Sequence, residues 1–409
     1  MTTTAPIPIV SGSTSDTAGP EPAPRMRYGA LIAMMTMSFL LVTAEFLPNG
    51  VLTEIADELR ITPGQAGQLV TVTALVGLFV APTVGLMFQR LDRRSLLVWL
   101  AVSAAASNAI VAVVPNLPLM LLARVLLGAA LSGFWAMSIT VAARIAGPAR
   151  VGRAVVFTTA GTSLATVAGV PVGVMLTEVL GWRGVFGIAA AATVLLAVAL
   201  RLLLPSVPPE GAARLSVLVD TLRRPGISLG MVGHLLVVLG HFLAYTYIRL
   251  ALERVHSDGA PIEAGVIVFL LALFGVGGLI GNVLIGAVVD RAYRPLAIIS
   301  PLTIAATVIL MIGGSELPWS IGMAAFLWGF FFSSWLLIVN TWVAHRMPDR
   351  LEAGGSLVVV GFQGAIMLAA GFGGILVDAS SVALAYFCGA VMLVLGAVLF
   401  GISGRVGRR

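Results

Sequence analysis

Twelve apolar runs follow one another along this chain, each about as long as a helix needs to cross a bilayer. A hydrocarbon layer ~30 Å thick takes about 20 helical residues at ~1.5 Å each. The runs fall near 28–51, 67–88, 95–114, 119–143, 154–178 and 184–204, then near 226–251, 264–289, 296–313, 320–343, 355–377 and 383–403. Lipid offers no partner for a backbone amide, so each run must close its own hydrogen bonds. That predicts an all-α membrane protein of twelve transmembrane helices. A mean hydropathy of +1.04 with only 10% charged residues excludes a soluble domain, whose surface needs solvating.

The longest internal polar stretch is 205–225, which contains Arg214, Asp220, Arg223 and Arg224. It divides the chain into a tail at 1–27, a first set of six runs at 28–204, this linker, a second set at 226–403 and a short tail at 404–409. The tail at 1–27 is rich in Thr, Ser, Pro and Ala, and disorder is expected there. All 24 basic residues are arginine. Nineteen of them fall on one side of the predicted membrane, and Arg60, Arg183, Arg249 and Arg254 on the other. Short loops rich in arginine stay in the cytoplasm, which places both termini and the linker there, in the cytoplasmic membrane. The net charge of +6 therefore reflects topology, and no nucleic-acid partner is expected.

The two halves echo each other. Gly85-Leu-Met-Phe-Gln-Arg-Leu-Asp-Arg-Arg94 follows the second run and Gly286-Ala-Val-Val-Asp-Arg-Ala-Tyr-Arg-Pro295 the eighth, each with Gly first and Arg at the sixth and ninth places. A parallel internal repeat predicts such a pair. The first of these loops resembles motif A of the major facilitator superfamily, with Gln89 in place of the usual acid and Asp92 in place of a Gly; the second keeps the acid as Asp290. Leu121-Leu-Ala-Arg124-Val-Leu-Leu-Gly128 resembles motif B, and Gly161 with Ala168-Gly-Val-Pro-Val-Gly173 resembles the antiporter motif C. Ala44-Glu-Phe-Leu-Pro48, Gly133-Phe-Trp-Ala-Met-Ser138 and Gly181-Trp-Arg-Gly-Val-Phe186 are similar to the drug:proton antiporter branch, above all to its purine ribonucleoside efflux pumps and also to its sugar-efflux members. The resemblance implies two pseudo-symmetric six-helix bundles that rock around a central cavity.

Charge is costly inside a membrane, at least ~2.5–3.5 kcal/mol per residue at the centre, so each buried ionisable group needs a reason. Glu45 and Arg124 lie at the same depth, roughly 7–9 Å below the outer surface at ~1.5 Å per residue, on helices that adjoin in this fold. They are expected to pair, either as a plain structural ion pair or as a proton switch in which Glu45 takes a proton and frees Arg124. On the seventh run His241, Tyr245 and Arg249 recur every four residues, with His234 seven before His241. Such a stripe faces the bundle interior, as packing or as substrate contact; Arg249, near the outer end, could also snorkel. Ser132, Trp135 and Ser138 on the fourth run suit a flat polar ring, or close helix packing. Asn340 and Gln363 add polar groups from the second half, while Trp328, Trp335 and Trp342, spaced by sevens, read as packing.

Gly169, Pro171 and Gly173 form a backbone hinge or a close-packing face. Gly85, Arg90, Asp92, Arg93 and Arg94, with Asp290, Arg291 and Arg294, are candidate gating residues, the acids clamping neighbouring cytoplasmic helix ends in the outward-open state, or the arginines marking topology alone. With a single thiol, Cys388, no internal disulfide or cysteine metal site can form. Without lysine there is no Walker A motif, and no nucleophile–base or metal constellation appears. The expectation is a proton-coupled efflux antiporter, not an enzyme, acting as a monomer without a cofactor. Its partners are protons, the lipid bilayer and a small-molecule substrate: a purine ribonucleoside first, a sugar or amphenicol-type drug second. A transport-inactive membrane receptor or scaffold is the alternative from another class.

Overall fold

The computed structural model describes residues 27–88, 90–146, 157, 160–208, 215–257, 260–314 and 318–406. Among these, ten helices are long and apolar enough to cross a membrane. Two are of double length, 160–203 with 44 residues and Ala264–Gly313 with 50. The first is broken at Gly181, whose φ of 66° belongs to the left-handed region. No neighbour crowds that glycine, so the dihedral alone asks for it. Span 5 is therefore 160–180 and span 6 is 182–203.

The second long run also turns back. A straight helix of 50 residues would be ~75 Å long. Yet Gly322 packs on Leu270 and Leu273 near its start, while Ser320 donates to the Gly314 carbonyl just beyond its end. Both contacts hold only if the chain reverses between them, near Asp290–Pro295, giving span 8 (264–289) and span 9 (296–313). Ten helices, two of them double, make twelve spans, as the apolar runs predict.

The remaining spans are 1 (Tyr28–Gly50), 2 (Pro63–Met87), 3 (Arg93–Val113), 4 (Leu117–Ala146), 7 (Ile227–Tyr245), 10 (Trp319–Arg346), 11 (Leu351–Ala379) and 12 (Val382–Ser403). The face that holds the start of span 1, the end of span 12 and residues 204–226 is called the terminal face below, and the opposite one the far face. Span 2 begins four residues before its apolar run. There Thr62 accepts from the Gln65 amide at 3.1 Å and Gln65 returns a bond to the Thr62 amide at 2.9 Å, with Pro63 leading the first turn. An unanticipated short helix, Leu52–Leu59, joins spans 1 and 2, and another, Leu215–Leu222, lies within the 205–225 stretch. The tail at 1–26 and Gln89 lie outside the described residues.

Span 5 shows what proline does inside a helix. Pro171 has no N–H to donate, and the preceding residues Ala165–Gly169 widen into a π-helix that absorbs the mismatch. Its glycines face span 1: a side chain on Gly161, Gly169 or Gly173 would meet Met35 and Ser38, Thr43, or Leu47 respectively. Span 5 thus lies alongside the helix that carries Glu45, and Ser38 and Thr162 share a hydrogen bond of 3.1 Å across the seam. Gly240 against Gly389 similarly closes span 7 on span 12, and Gly277 and Gly281 close span 8 on span 10. In lipid, where apolar burial between helices brings little gain, close approach through small residues supplies the packing.

Candidate functional site

Glu45 and Arg124 are both buried at the same level of the first six spans. They are neighbours, but they do not form the expected direct ion pair. Arg124 Nη1 donates instead to the Ala44 carbonyl at 2.9 Å, and its guanidinium lies over the Phe186 ring at 5.1 Å. Among the described residues, Arg124 Nε and Nη2, and Glu45 Oε1, are buried without a hydrogen-bond partner. So are both polar atoms of Asn49, one turn beyond Glu45 on the same helix face. The antiparallel seating of Gly133 on Leu100 sets spans 3 and 4 in register, which brings Ser107 and Asn108, both also holding unpartnered atoms, level with Arg124. A buried polar atom without a bond costs ~1–3 kcal/mol. Several such atoms lie at one depth around a carboxyl and a guanidinium.

At mid-membrane two predicted residues from opposite halves meet. Gln363 Nε2 on span 11 donates to Ser132 Oγ on span 4 at 3.5 Å, over Gly77 of span 2, where any side chain would collide with both. Trp135 is half-buried beside Phe134, with ring centroids 5.4 Å apart. Ser138 turns its hydroxyl back to the Trp135 carbonyl at 3.2 Å, and Asn340 is exposed, so neither joins this contact.

The span 7 stripe is more committed than its sequence suggests. His241 Nδ1 accepts from Trp328 Nε1 at 2.9 Å, and His234 Nδ1 from Trp335 Nε1 at 3.1 Å, while His234 Nε2 reaches the Val358 carbonyl at 3.0 Å. An accepting Nδ1 puts the proton of a neutral ring on Nε2. His234 is then a satisfied packing residue, and His241 keeps one nitrogen for another partner. Trp328 and Trp335 do more than pack, since they orient both histidines. Tyr245 lies among Phe46, Phe274 and Trp328, with Phe46 reaching over from span 1.

Toward the far face the halves are locked together. Thr53 donates to both Glu253 oxygens, at 3.0 and 3.2 Å, and Arg249 pairs with Glu54 at 3.1 Å and Glu253 at 2.7 Å. Arg249 is thus an ion-pair bridge between halves rather than a snorkelling side chain. Burial pushes the Glu54 carboxyl above its ordinary range, with Arg249 opposing part of the rise. The Asp378 carboxylate takes the Thr62 hydroxyl at 2.5 Å and the Gly64 amide at 2.9 Å, so the end of span 11 caps the start of span 2. Tyr247, at the break after span 7, wedges between Gly67 and Gly374 and donates to the Ala370 carbonyl at 2.7 Å. The Thr53–Glu253, Glu54–Arg249, Thr62–Asp378, Gly64–Asp378 and Ser132–Gln363 bonds, which join the first six spans to the last six, lie at mid-membrane or nearer the far face. This conformer is closed on the far side.

Twelve spans and buried charges at a shared depth fit the model of the Major Facilitator Superfamily, which matches residues 34–355. The chain belongs to that superfamily. It is 33% identical over 402 residues to a Pseudomonas aeruginosa protein named transcription regulatory protein OpdE, covering 95% of this chain and 97% of that one. It is 32% identical over 365 residues to the purine ribonucleoside efflux pump NepI of Shigella sonnei, covering 89% and 91%. Among solved structures, a mutant form of the nucleoside transporter NupG superposes with a TM-score of 0.75 at 12% identity, covering 93% of this chain and all of that one. A bacterial homolog of the human lysosomal transporter Spinster superposes at 0.64 with 16% identity, covering 95% and 96%. These two share the fold. The chain is a multi-pass membrane transporter of this superfamily.

In this far-side-closed conformer of the facilitator, the bonds that the described residues of the motif A loop make stay within the first half. Asp92 caps span 3 through the Arg94 amide at 2.8 Å and takes the Ser206 hydroxyl and the Val207 amide, at 3.0 Å for the latter. Burial raises its carboxyl, but the bonds from Ser206 and the Ser95, Arg94 and Val207 amides outweigh it and hold it below its ordinary range. Arg93 reaches the Phe88 carbonyl at 3.1 Å and Arg94 the Leu204 carbonyl at 3.5 Å, all within the first half. Gly85 lies in the last turn of span 2; Arg90, Asp290, Arg291 and Arg294 are exposed. Sequence reasoning missed Asn49, Gly77, Tyr247, Asp378 and the Glu54–Arg249–Glu253 set. Only the last carried a readable signal, an arginine four residues before an acid at a helix end.

Proposed function

We propose that this transporter is a proton-coupled efflux antiporter of small polar organic solutes, with purine ribonucleosides as its first substrate class. Two bundles, 28–204 and 226–403, alternate access, and the terminal face lies in the cytoplasm, as the arginine bias supports. The observation that carries the reading is the buried Glu45–Arg124 site, where a carboxyl and a guanidinium share one depth without bonding each other. A carboxyl so placed can gain or lose a proton without breaking a salt bridge, and the nearby guanidinium feels the change of charge. The Ser132–Gln363 contact, with Trp135 on span 4 and His241 on span 7, which adjoins span 11, supports a polar, aromatic-lined binding level between halves. The name and coverage of the efflux-pump relative support the nucleoside class.

The deciding measurement is counterflow in proteoliposomes with labelled inosine, a sugar and an amphenicol, each with and without a proton gradient set acid inside. Gradient-driven uptake of inosine into inverted vesicles supports the reading. Transport of the sugar or the drug alone replaces the substrate and keeps the class. A second reading, a receptor that no longer transports, is favoured by the regulatory name of the Pseudomonas aeruginosa relative. It predicts saturable binding with no counterflow of any of the three solutes.

A further inference from the structure

At the terminal face, between spans 9, 10 and 12, lies a cleft of about 160 Å³ that the transport reading does not use. Arg294, Arg346 and Arg405 line it together with Trp342, and no acid does. Arg346 is engaged by one amine, Nη2, which donates to the Pro225, Ser403 and Val406 carbonyls at 3.2, 3.4 and 2.8 Å. Among the described residues Arg294 has only the Tyr293 hydroxyl, at 3.2 Å, and Arg405 is exposed. Trp342 is 3% exposed, and its indole Nε1 has no hydrogen-bond partner.

The internal repeat shows why this charge is unusual. Arg294 stands in the second half where Arg93 stands in the first, and Tyr293 stands where Asp92 does. In the first half that aspartate draws residues 204–207 over the ends of spans 3 and 6 and neutralises part of the basic cluster. In the second half Tyr293 takes the place of that aspartate, Asp290 lies outside the lining, and the arginines converge with nothing of opposite sign among the lining residues. Three guanidinium groups and an indole N–H suit a phosphate. The wall of the cleft is Ala297, Ile298, Phe400 and Gly401, and Ile298 is itself exposed on the outer surface of the helices. A ligand seated there carries hydrocarbon beside its charge.

We infer that this cleft holds the headgroup phosphate of an anionic phospholipid from the terminal-face leaflet, with an acyl chain lying along Ile298. Arg294 and Arg405 supply the charge, Trp342 Nε1 a directed donor, and Arg346 a fixed positive backdrop that also ties spans 10 and 12 to the start of span 7. A lipid bound here would brace the end of the second bundle.

The test is native mass spectrometry of the full chain in mild detergent, titrated with phosphatidylglycerol, with phosphatidylcholine of the same chains, and with inorganic phosphate as competitor. Each arginine near a charged headgroup is worth roughly fivefold in affinity, so Arg294→Gln with Arg405→Gln should weaken phosphatidylglycerol binding by about 25-fold. Trp342→Phe removes the indole N–H together with part of the ring that meets Gly230, so its expected loss of roughly fivefold is read beside its melting temperature without lipid. Both arginines are exposed, so the double variant should melt at the wild-type temperature without lipid. Equal binding of the two lipids, or unchanged binding in the double variant, overturns the site. Displacement of the lipid by millimolar inorganic phosphate overturns the lipid assignment, because the occupant would then be a free anion.

Discussion

Replacing Asp378 with alanine should open the far face without unfolding the protein. The Asp378 carboxylate is the acceptor for the Thr62 hydroxyl and the Gly64 amide, two donors of the opposite half. Each bond is worth ~0.5–1.5 kcal/mol net, and an acid at a helix N-terminus adds ~0.3–1 kcal/mol. Asp378 is exposed, so the lower ends of these ranges apply, and the sum is ~1–2 kcal/mol. That shifts the ratio of far-closed to far-open molecules by roughly five- to thirtyfold toward open, at ~1.4 kcal/mol per factor of ten. The start of span 2 should stay helical, because the reciprocal Thr62–Gln65 bonds need no partner from the other half. Asp378→Asn keeps an acceptor but loses the charge and should fall between. The assay is double electron–electron resonance on a Cys388→Ser background with labels at Val179→Cys and Trp319→Cys, exposed positions on the far side of the two halves. A long-distance population should grow in the order wild type, Asn, Ala. Identical distance distributions in all three, with unchanged melting temperature, would refute the idea that this cross-half cap holds the gate.

Gly67→Ala should act in the same direction by a different route, since its methyl would strike the Tyr247 hydroxyl. Overpacking of this kind costs ~1–3 kcal/mol, so far-side closure should be disfavoured in the same distance measurement, and Tyr247→Phe should relieve part of the effect. Glu45→Gln should abolish gradient-driven transport while leaving solute exchange largely intact. Arg124→Ala should be more damaging and lower the expression of folded protein, because it also frees the Ala44 carbonyl and strands a buried carboxyl. Normal gradient-driven transport in Glu45→Gln would remove that carboxyl from the mechanism. Glu54 gives a pH dependence with a definite sign. Its carboxyl is raised by burial in the closed gate and returns to its ordinary range once the gate opens, so the closed state binds more protons. Closure is favoured most below the ordinary carboxylate value, and the advantage is lost as pH rises through the raised one; Glu54→Gln should flatten that part of the curve.

The fold was open to reading because membrane helices obey coarse rules. A length of about 20 apolar residues and an excess of arginine on one side need no knowledge of partners. Even the break at Gly181 and the reversal near Pro295 fall where polar or flexible residues interrupt an apolar run. Depth was equally legible, since counting residues from helix ends placed Glu45 and Arg124 at one level, and both are buried there. What depth could not give was bonding. Whether a guanidinium meets a carboxylate or the carbonyl one residue before it depends on helix rotation by a fraction of a turn, which a hydropathy pattern leaves undetermined.

Contacts between the halves are the hardest to foresee, because their partners lie far apart in the chain and sit on the part of the structure that moves. Asp378 and Thr62 are 316 residues apart, and nothing near either in sequence points to the other. The histidine–tryptophan pairs are the instructive exception. His234 and His241 are seven residues apart, and so are Trp328 and Trp335. Two polar residues repeated at one interval on one apolar helix, matched by two donors at the same interval on another, leave few ways to satisfy all four in lipid. The structure pairs them in antiparallel order, His241 with Trp328 and His234 with Trp335, as the opposite directions of spans 7 and 10 require. Matched spacing of buried donors and acceptors therefore carries pairing information that hydropathy lacks. It is available only within one half, where the helices keep their register through the transport cycle. Between the halves, which the proposed alternating access moves against each other, no fixed register exists to be encoded.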